Sequence, residues 1–200
     1  MSRIYISSGH HLSDPGASYG PYTESLICMK IRDEVAKLMP DAIFVPDSFT
    51  LRQTIDWINE TCKPEDLALE IHLNFSNDQT RSGCEVYYSK EPEIATIFAK
   101  HVAKTLQVAC NGAKPDSQSF VGSLGFLRQI GCHTALLECA YLSHPGDRLK
   151  IVFPSGQMRV AEGIKNGIME WRGEIETYRT QLNSMLKLLQ ELLKKYYGKI

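Results

Sequence analysis

The sequence contains six cysteines, Cys28, Cys62, Cys84, Cys110, Cys132 and Cys139, but no Cys-x-x-Cys pair. That absence argues against a zinc ribbon and against a thioredoxin-like redox site. A disulfide framework is not expected either, because a domain of this size builds a core without one. The six therefore read mostly as buried thiols behaving like small hydrophobes. Charge of one sign is also missing: 22 Lys and Arg against 23 Asp and Glu leave a formal net charge of -1. With no basic run interleaved with aromatics, there is no electrostatic footprint for nucleic acid. Long hydrophobic runs are absent too. No window approaches the ~18 apolar residues of a membrane span, and MSRIYISSGHH carries no apolar run of signal-peptide length. The expectation is a chain made in the cytoplasm without an export signal of its own and without membrane insertion.

What is present is a 200-residue chain with 43% hydrophobic and 22% charged residues, ordinary for one globular domain plus an appendage. Short apolar runs at 3 to 7, 42 to 45, 67 to 75, 83 to 89 and 135 to 140 alternate with helical patterns at 23 to 39, 50 to 60, 91 to 110 and 155 to 171. This alternation predicts an α/β fold. Thr50 is placed to cap the second helix, and Ser89 with Pro92 to open the third. The stretch 111 to 125, NGAKPDSQSFVGSLG, has neither period and reads as a long loop. After Gly173 the pattern changes: Ile175, Tyr178, Leu182, Met185, Leu189, Leu192 and Tyr196 recur at spacings of three and four, the a/d spacing of one long helix. The expected division is a globular domain over residues 1–172 and a heptad helix over 173–200. Homo-oligomer formation is the favoured fate of that helix; docking on its own domain and service as a stem toward a partner module are the alternatives.

Four polar residues fall where hydrophobic patterning does not ask for them. His10 follows the carboxyl end of the first strand, where open α/β sheets gather their sites; taken alone it reads equally as a loop histidine. Glu24 opens the helix TESLICMKIRDEVAKLM in phase with Ile27, Ile31 and Val35, at the end of the core-facing stripe. A carboxylate is also welcome in a first helical turn for its dipole alone. His72, in LALEIHLNFS, shares a strand face with Ala68, Glu70 and Asn74, and its plainer reading is a hydrogen-bonded core histidine. Glu138 ends an apolar strand, where desolvation would raise its proton affinity and suit it to acid–base work. Together His10, Glu24 and His72 make a two-histidine, one-carboxylate set, and catalytic zinc takes three protein ligands plus a water. In that arrangement Glu138 would shuttle the proton.

The blocks GHHLSDPGA, TESL, EIHLNFS followed by SGCEVYYS, and ALLECAYLSHPGD, in this order, resemble the motifs of the zinc-dependent N-acetylmuramoyl-L-alanine amidases of the amidase-3 catalytic type. The resemblance spans roughly residues 3 to 171. It implies a mixed, mostly parallel sheet flanked by helices, to which this chain adds its long C-terminal helix. It also implies a zinc ion on His10, Glu24 and His72, a catalytic Glu138, and peptidoglycan as substrate, cut between N-acetylmuramic acid and L-alanine. Without a signal sequence the chain looks most like a phage endolysin. Ser7 and Ser8 stand where the family often has Asp-Pro, and His11 where a second glycine often follows; the resemblance favours His10 over His11 as ligand. Glu70 is a rival acidic ligand, read here as support orienting a histidine. The alternatives are a wall-binding or regulatory module on an amidase scaffold, and a zinc peptidase of other specificity. No role follows from sequence for Lys114, Arg128 or His133.

Overall fold

The computed structural model describes residues 2–11 and 13–197, and the side chains of these except 175–181, 183 and 194–197. In chain order the elements are β1 (Ile4–Ser8), β2 (Ser18–Tyr19), β3 (Tyr22–Thr23), α1 (Glu24–Leu38), β4 (Ile43–Phe44), α2 (Leu51–Asn59), β5 (Leu67–Asn74), β6 (Cys84–Tyr88), α3 (Pro92–Leu106), β7 (Cys110–Pro115), a 3-10 turn (Asp116–Gln118), α4 (Gly125–Gln129), β8 (His133–Tyr141), α5 (Pro145–Ile151), α6 (Pro154–Trp171) and α7 (Glu174–Tyr197). Six strands form one sheet in the order β4-β1-β5-β8-β6-β7, and β2 and β3 make a separate hairpin. The β4, β1, β5 and β8 strands are mutually parallel, whereas β6 pairs antiparallel with β8 and parallel with β7. The expected mixed, mostly parallel sheet with flanking helices and a long C-terminal helix is the fold found.

Both faces of the central strands are covered, so these strands read as near-continuous apolar runs. Ile4, Ile6, Leu67, Leu69, Ile71 and Leu137 point to the side where α1, α3 and α6 contribute Ile31, Val102 and Ile164 to one core. Tyr5, Ala68, Tyr87 and Leu136 point to the other, where α2 and the short α4 supply Ile55, Ile58, Phe126 and Leu127. Two short helices cannot roof the whole second face. Its carboxyl end stays open, and the polar residues of β5, β6 and β8 collect there.

Local signals act as expected in one place and not in another. Thr50 caps α2 through a reciprocal box with Gln53. Ser89 does not cap α3; Glu91 occupies that position, and Pro92 begins the helix. The third helix also ends at Leu106, because Gln107 turns left-handed at φ 61° and Cys110 already starts β7. The expected loop at 111–125 is thus largely structured, as an edge strand, a 3-10 turn and the start of α4. Edge position explains the misreading, since an outer strand tolerates the Gly112 irregularity and the Pro115 that a central strand would reject.

Candidate metal centre

The centre is built by a loop that folds back on the first helix. Beyond β1 the Gly9 amide donates to the Ile71 carbonyl at 2.7 Å, which keeps the chain against β5 for one more residue. A Cβ at Gly9 would lie 2.4 Å from the His72 ring, so only glycine permits this approach. His10 then adopts φ 65°, a left-handed conformation that is uncommon for a residue with a side chain. Gly16, at φ 64°, returns the loop so closely that a Cβ would meet the His10 ring at 2.5 Å and Glu24 Oε2 at 2.7 Å. The Ala17 amide donates to Glu24 Oε2 at 2.9 Å, and the Glu24 amide to the Ala17 carbonyl at 2.8 Å. Glu24, first residue of α1 and only 4% exposed, is therefore enclosed by loop and strand.

Three side chains converge there. His10 Nε2 lies 3.1 Å from Glu24 Oε2, and His72 Nδ1 lies 2.9 Å from Glu24 Oε1, which also accepts from the Leu73 amide at 2.9 Å. One ligand-capable atom from each of His10, Glu24 and His72 falls within 4.8 Å of the others. Each histidine meets a further carboxylate through its other nitrogen: Asp14 Oδ2 is 2.9 Å from His10 Nδ1, and Glu70 Oε2 is 3.3 Å from His72 Nε2. His11 stands outside the cluster, its Nδ1 2.9 Å from the Ser13 hydroxyl. Glu70, the rival acid, meets His72 from the side away from Glu24.

The electrostatics call for a positive charge. Burial opposes ionisation of Glu24, yet hydrogen bonds from His10 and His72 hold its carboxyl well below the usual carboxylate range. Burial would lower both histidines, but Glu24, with Asp14 at His10 and Glu70 at His72, raises them. A divalent ion held there would need both rings in the neutral ligand form. Two imidazoles and one carboxylate fit the open three-ligand set of a catalytic zinc site, and outer carboxylates on ligating histidines are its usual support.

Glu138 belongs to the same row. It is the register partner of His72 on one side and of Glu85 on the other. Its Oε2 is buried without a hydrogen-bond partner among the described residues. Burial, reinforced by the charges of Glu24 and Glu85 against those of His72 and His10, pushes its pKa up to about 8. Such a carboxyl exchanges protons near neutrality. Glu85 itself is 1% exposed and satisfied by Asn74 at 2.8 Å, the Tyr87 hydroxyl at 3.0 Å and Lys114. Ser7, Glu70 and His72 line a groove at this end of the sheet together with the apolar Phe49, Leu51, Leu124 and Phe126.

Residues 4–170 match the N-acetylmuramoyl-L-alanine amidase family Amidase_3. The chain belongs to that family. Among relatives, the germination-specific N-acetylmuramoyl-L-alanine amidase of Bacillus subtilis (strain 168) is 25% identical over 193 residues, covering 84% of this chain and 78% of that protein. The catalytic domain of the amidase CwlV from Bacillus (Paenibacillus) polymyxa var. colistinus superposes with a TM-score of 0.75 at 24% identity, covering 86% of this chain and 99% of that one. The amidase AmiC2 of Nostoc punctiforme gives 0.77 at 20% identity, covering 86% and 97%. Peptidoglycan amidase activity is what this membership supports. No helix among the described residues is long and apolar enough to cross a membrane.

Two residues of the site, Asp14 and Glu85, were not expected from the sequence. Glu85 carried a signal: a carboxylate between apolar neighbours in CEVYY, at an inward position of a strand. Of the residues without an expected role, Lys114 binds Glu85, Arg128 pairs with Asp116, and His133 meets Glu91 at 2.6 Å near the amino end of β8.

Proposed function

We propose that this chain is a zinc-dependent peptidoglycan hydrolase that cleaves the amide between the lactyl group of N-acetylmuramic acid and L-alanine, with His10, Glu24 and His72 as metal ligands and Glu138 as proton carrier. The observation that carries the reading is the unpartnered, buried Oε2 of Glu138, one strand away from His72 in a three-residue ligand cluster. Zinc in such a set supplies Lewis acidity toward water and the scissile carbonyl. Asp14 and Glu70 hold the two imidazoles in orientation, and the enclosing loop fixes Glu24. Glu138 takes a proton from the attacking water as the carbon–oxygen bond forms. It returns that proton to the alanine nitrogen as the carbon–nitrogen bond breaks, leaving a lactyl carboxylic acid and a free amine, which ionise to carboxylate and ammonium.

On this reading residues 1–172 are the catalytic domain and 173–200 an appended helix, and delivery of the enzyme to a wall lyses it, as an endolysin does. The exposed Leu182, Met185, Leu186, Leu188, Leu189 and Leu192 along α7 support self-association. Metal analysis tests the centre. The purified protein should carry about one zinc, His72→Ala should lose it, and Glu138→Gln should keep it while losing about 10²- to 10⁴-fold in wall hydrolysis, the usual worth of a proton-transfer group. Zinc-free protein with full activity would refute the assignment.

A further inference from the structure

The line of site residues does not stop at Glu138. Register carries it from His72 on β5 to Glu138 on β8, Glu85 on β6 and Gly112 on the edge strand β7. Beyond Glu138 lies a second concavity lined by Arg81, Ser82, Glu85, Asn111, Lys114 and Tyr141. The two concavities differ in chemistry. The one over the metal cluster, the apolar arm, includes Phe49, Leu51, Leu124 and Phe126. In the second, beside β6 and β7, two cations face the opening.

Both cations are held in place. Lys114 is anchored on the buried carboxylate of Glu85, which also accepts from Asn74 and Tyr87; its side chain is 24% exposed, and an ammonium has three donors. The Arg81 guanidinium sits 5.7 Å from the ring centroid of Tyr141, which is 2% exposed, and Arg81 makes no ion pair among the described residues. Asp78 feels the Arg81 charge, but its Oδ1 is engaged by the Thr80 amide and hydroxyl.

We propose that Arg81 and Lys114 form a subsite for a carboxylate of the substrate's stem peptide, directing the peptide over β6 and β7 and the sugar over the apolar arm. This rests on the amidase reading, whose substrate has an uncharged sugar ring on one side of the scissile bond and an acidic peptide on the other. A planar guanidinium and a neighbouring ammonium suit a carboxylate, whereas apolar and aromatic walls suit the face of a sugar ring.

Binding tests the subsite independently of turnover. L-alanyl-D-glutamate and its diamide would be titrated calorimetrically against the full zinc-loaded chain and against Arg81→Gln, an exposed position whose change leaves the core intact. The acid should bind the wild type roughly tenfold more tightly than the diamide, as one charge-assisted contact predicts. Arg81→Gln should erase that difference. Equal affinities of the wild type for acid and diamide, or an acid preference unchanged in Arg81→Gln, would overturn the subsite even if walls are cleaved. In kinetics on N-acetylmuramoyl-L-alanyl-D-glutamate, the variant should raise KM about tenfold and leave kcat within twofold. Absence of wall cleavage by the wild type would instead count against the amidase reading, whatever the dipeptide does.

Discussion

At the scale of single residues, the candidate centre depends on what surrounds His10, Glu24 and His72 as much as on those three side chains. Glu24 would be a costly buried charge alone; it is tolerated because two backbone amides and two imidazoles point at it. Asp14 fixes the His10 ring from behind and is itself held by the Gly16 amide at 3.1 Å. Asp14→Asn should therefore weaken zinc binding by about 10- to 100-fold, the range for outer-shell carboxylates, in a chelator competition titration. Unchanged affinity would mean that the contact positions nothing. His10, Glu24, His72 and Glu138 were each legible in sequence as polar residues at strand or helix ends in otherwise apolar patterns. Asp14 was not, because an aspartate before Pro-Gly is an ordinary turn residue and nothing local says that its carboxylate faces a histidine four positions back. The same limit hid the partnership of Lys114 with Glu85, which a sheet register across 29 residues creates.

At the scale of elements, Asp66 shows how the strand that carries His72 is fixed. It accepts from the Arg3 amide at 2.8 Å, the Arg3 guanidinium at 3.0 Å and the Lys63 amide at 2.8 Å, joining the start of β1 to the turn before β5. Burial opposes its ionisation, but the Lys63 and Arg3 donors hold its carboxyl below the ordinary value. A folded pKa below the unfolded one gives stability that is present above about pH 4 and lost as pH falls through the folded value. Asp66→Asn should cost about 1–3 kcal/mol in urea unfolding at pH 7. The gap to wild type should narrow below about pH 4; a gap constant with pH would contradict the electrostatic account. Central strands and amphipathic helices announced themselves through periodicity. The edge strand β7 and the short α4 did not, since Cys110–Pro115 shows no apolar alternation and five residues, Gly125–Gln129, are too few to show a helical period.

At the scale of the molecule, Arg172 ends α6 and Gly173, at φ 72°, turns the chain into α7. The heptad spacing was legible, and the described leucines along it are exposed; the side chains of Ile175, Tyr178 and Tyr196, and residues 198–200, lie outside the described residues. Truncation after Arg172 should lower the mass measured by analytical ultracentrifugation from an oligomer to one chain, without loss of zinc. Identical oligomeric state with and without the helix would sink self-association through α7. The central claim is the bond that is cut, and mass analysis of the soluble products from purified walls addresses it most directly. The account predicts intact stem peptides beginning with a free L-alanine amine and glycan strands carrying free lactyl carboxylates. Products cleaved within the peptide, or within the glycan, would contradict it.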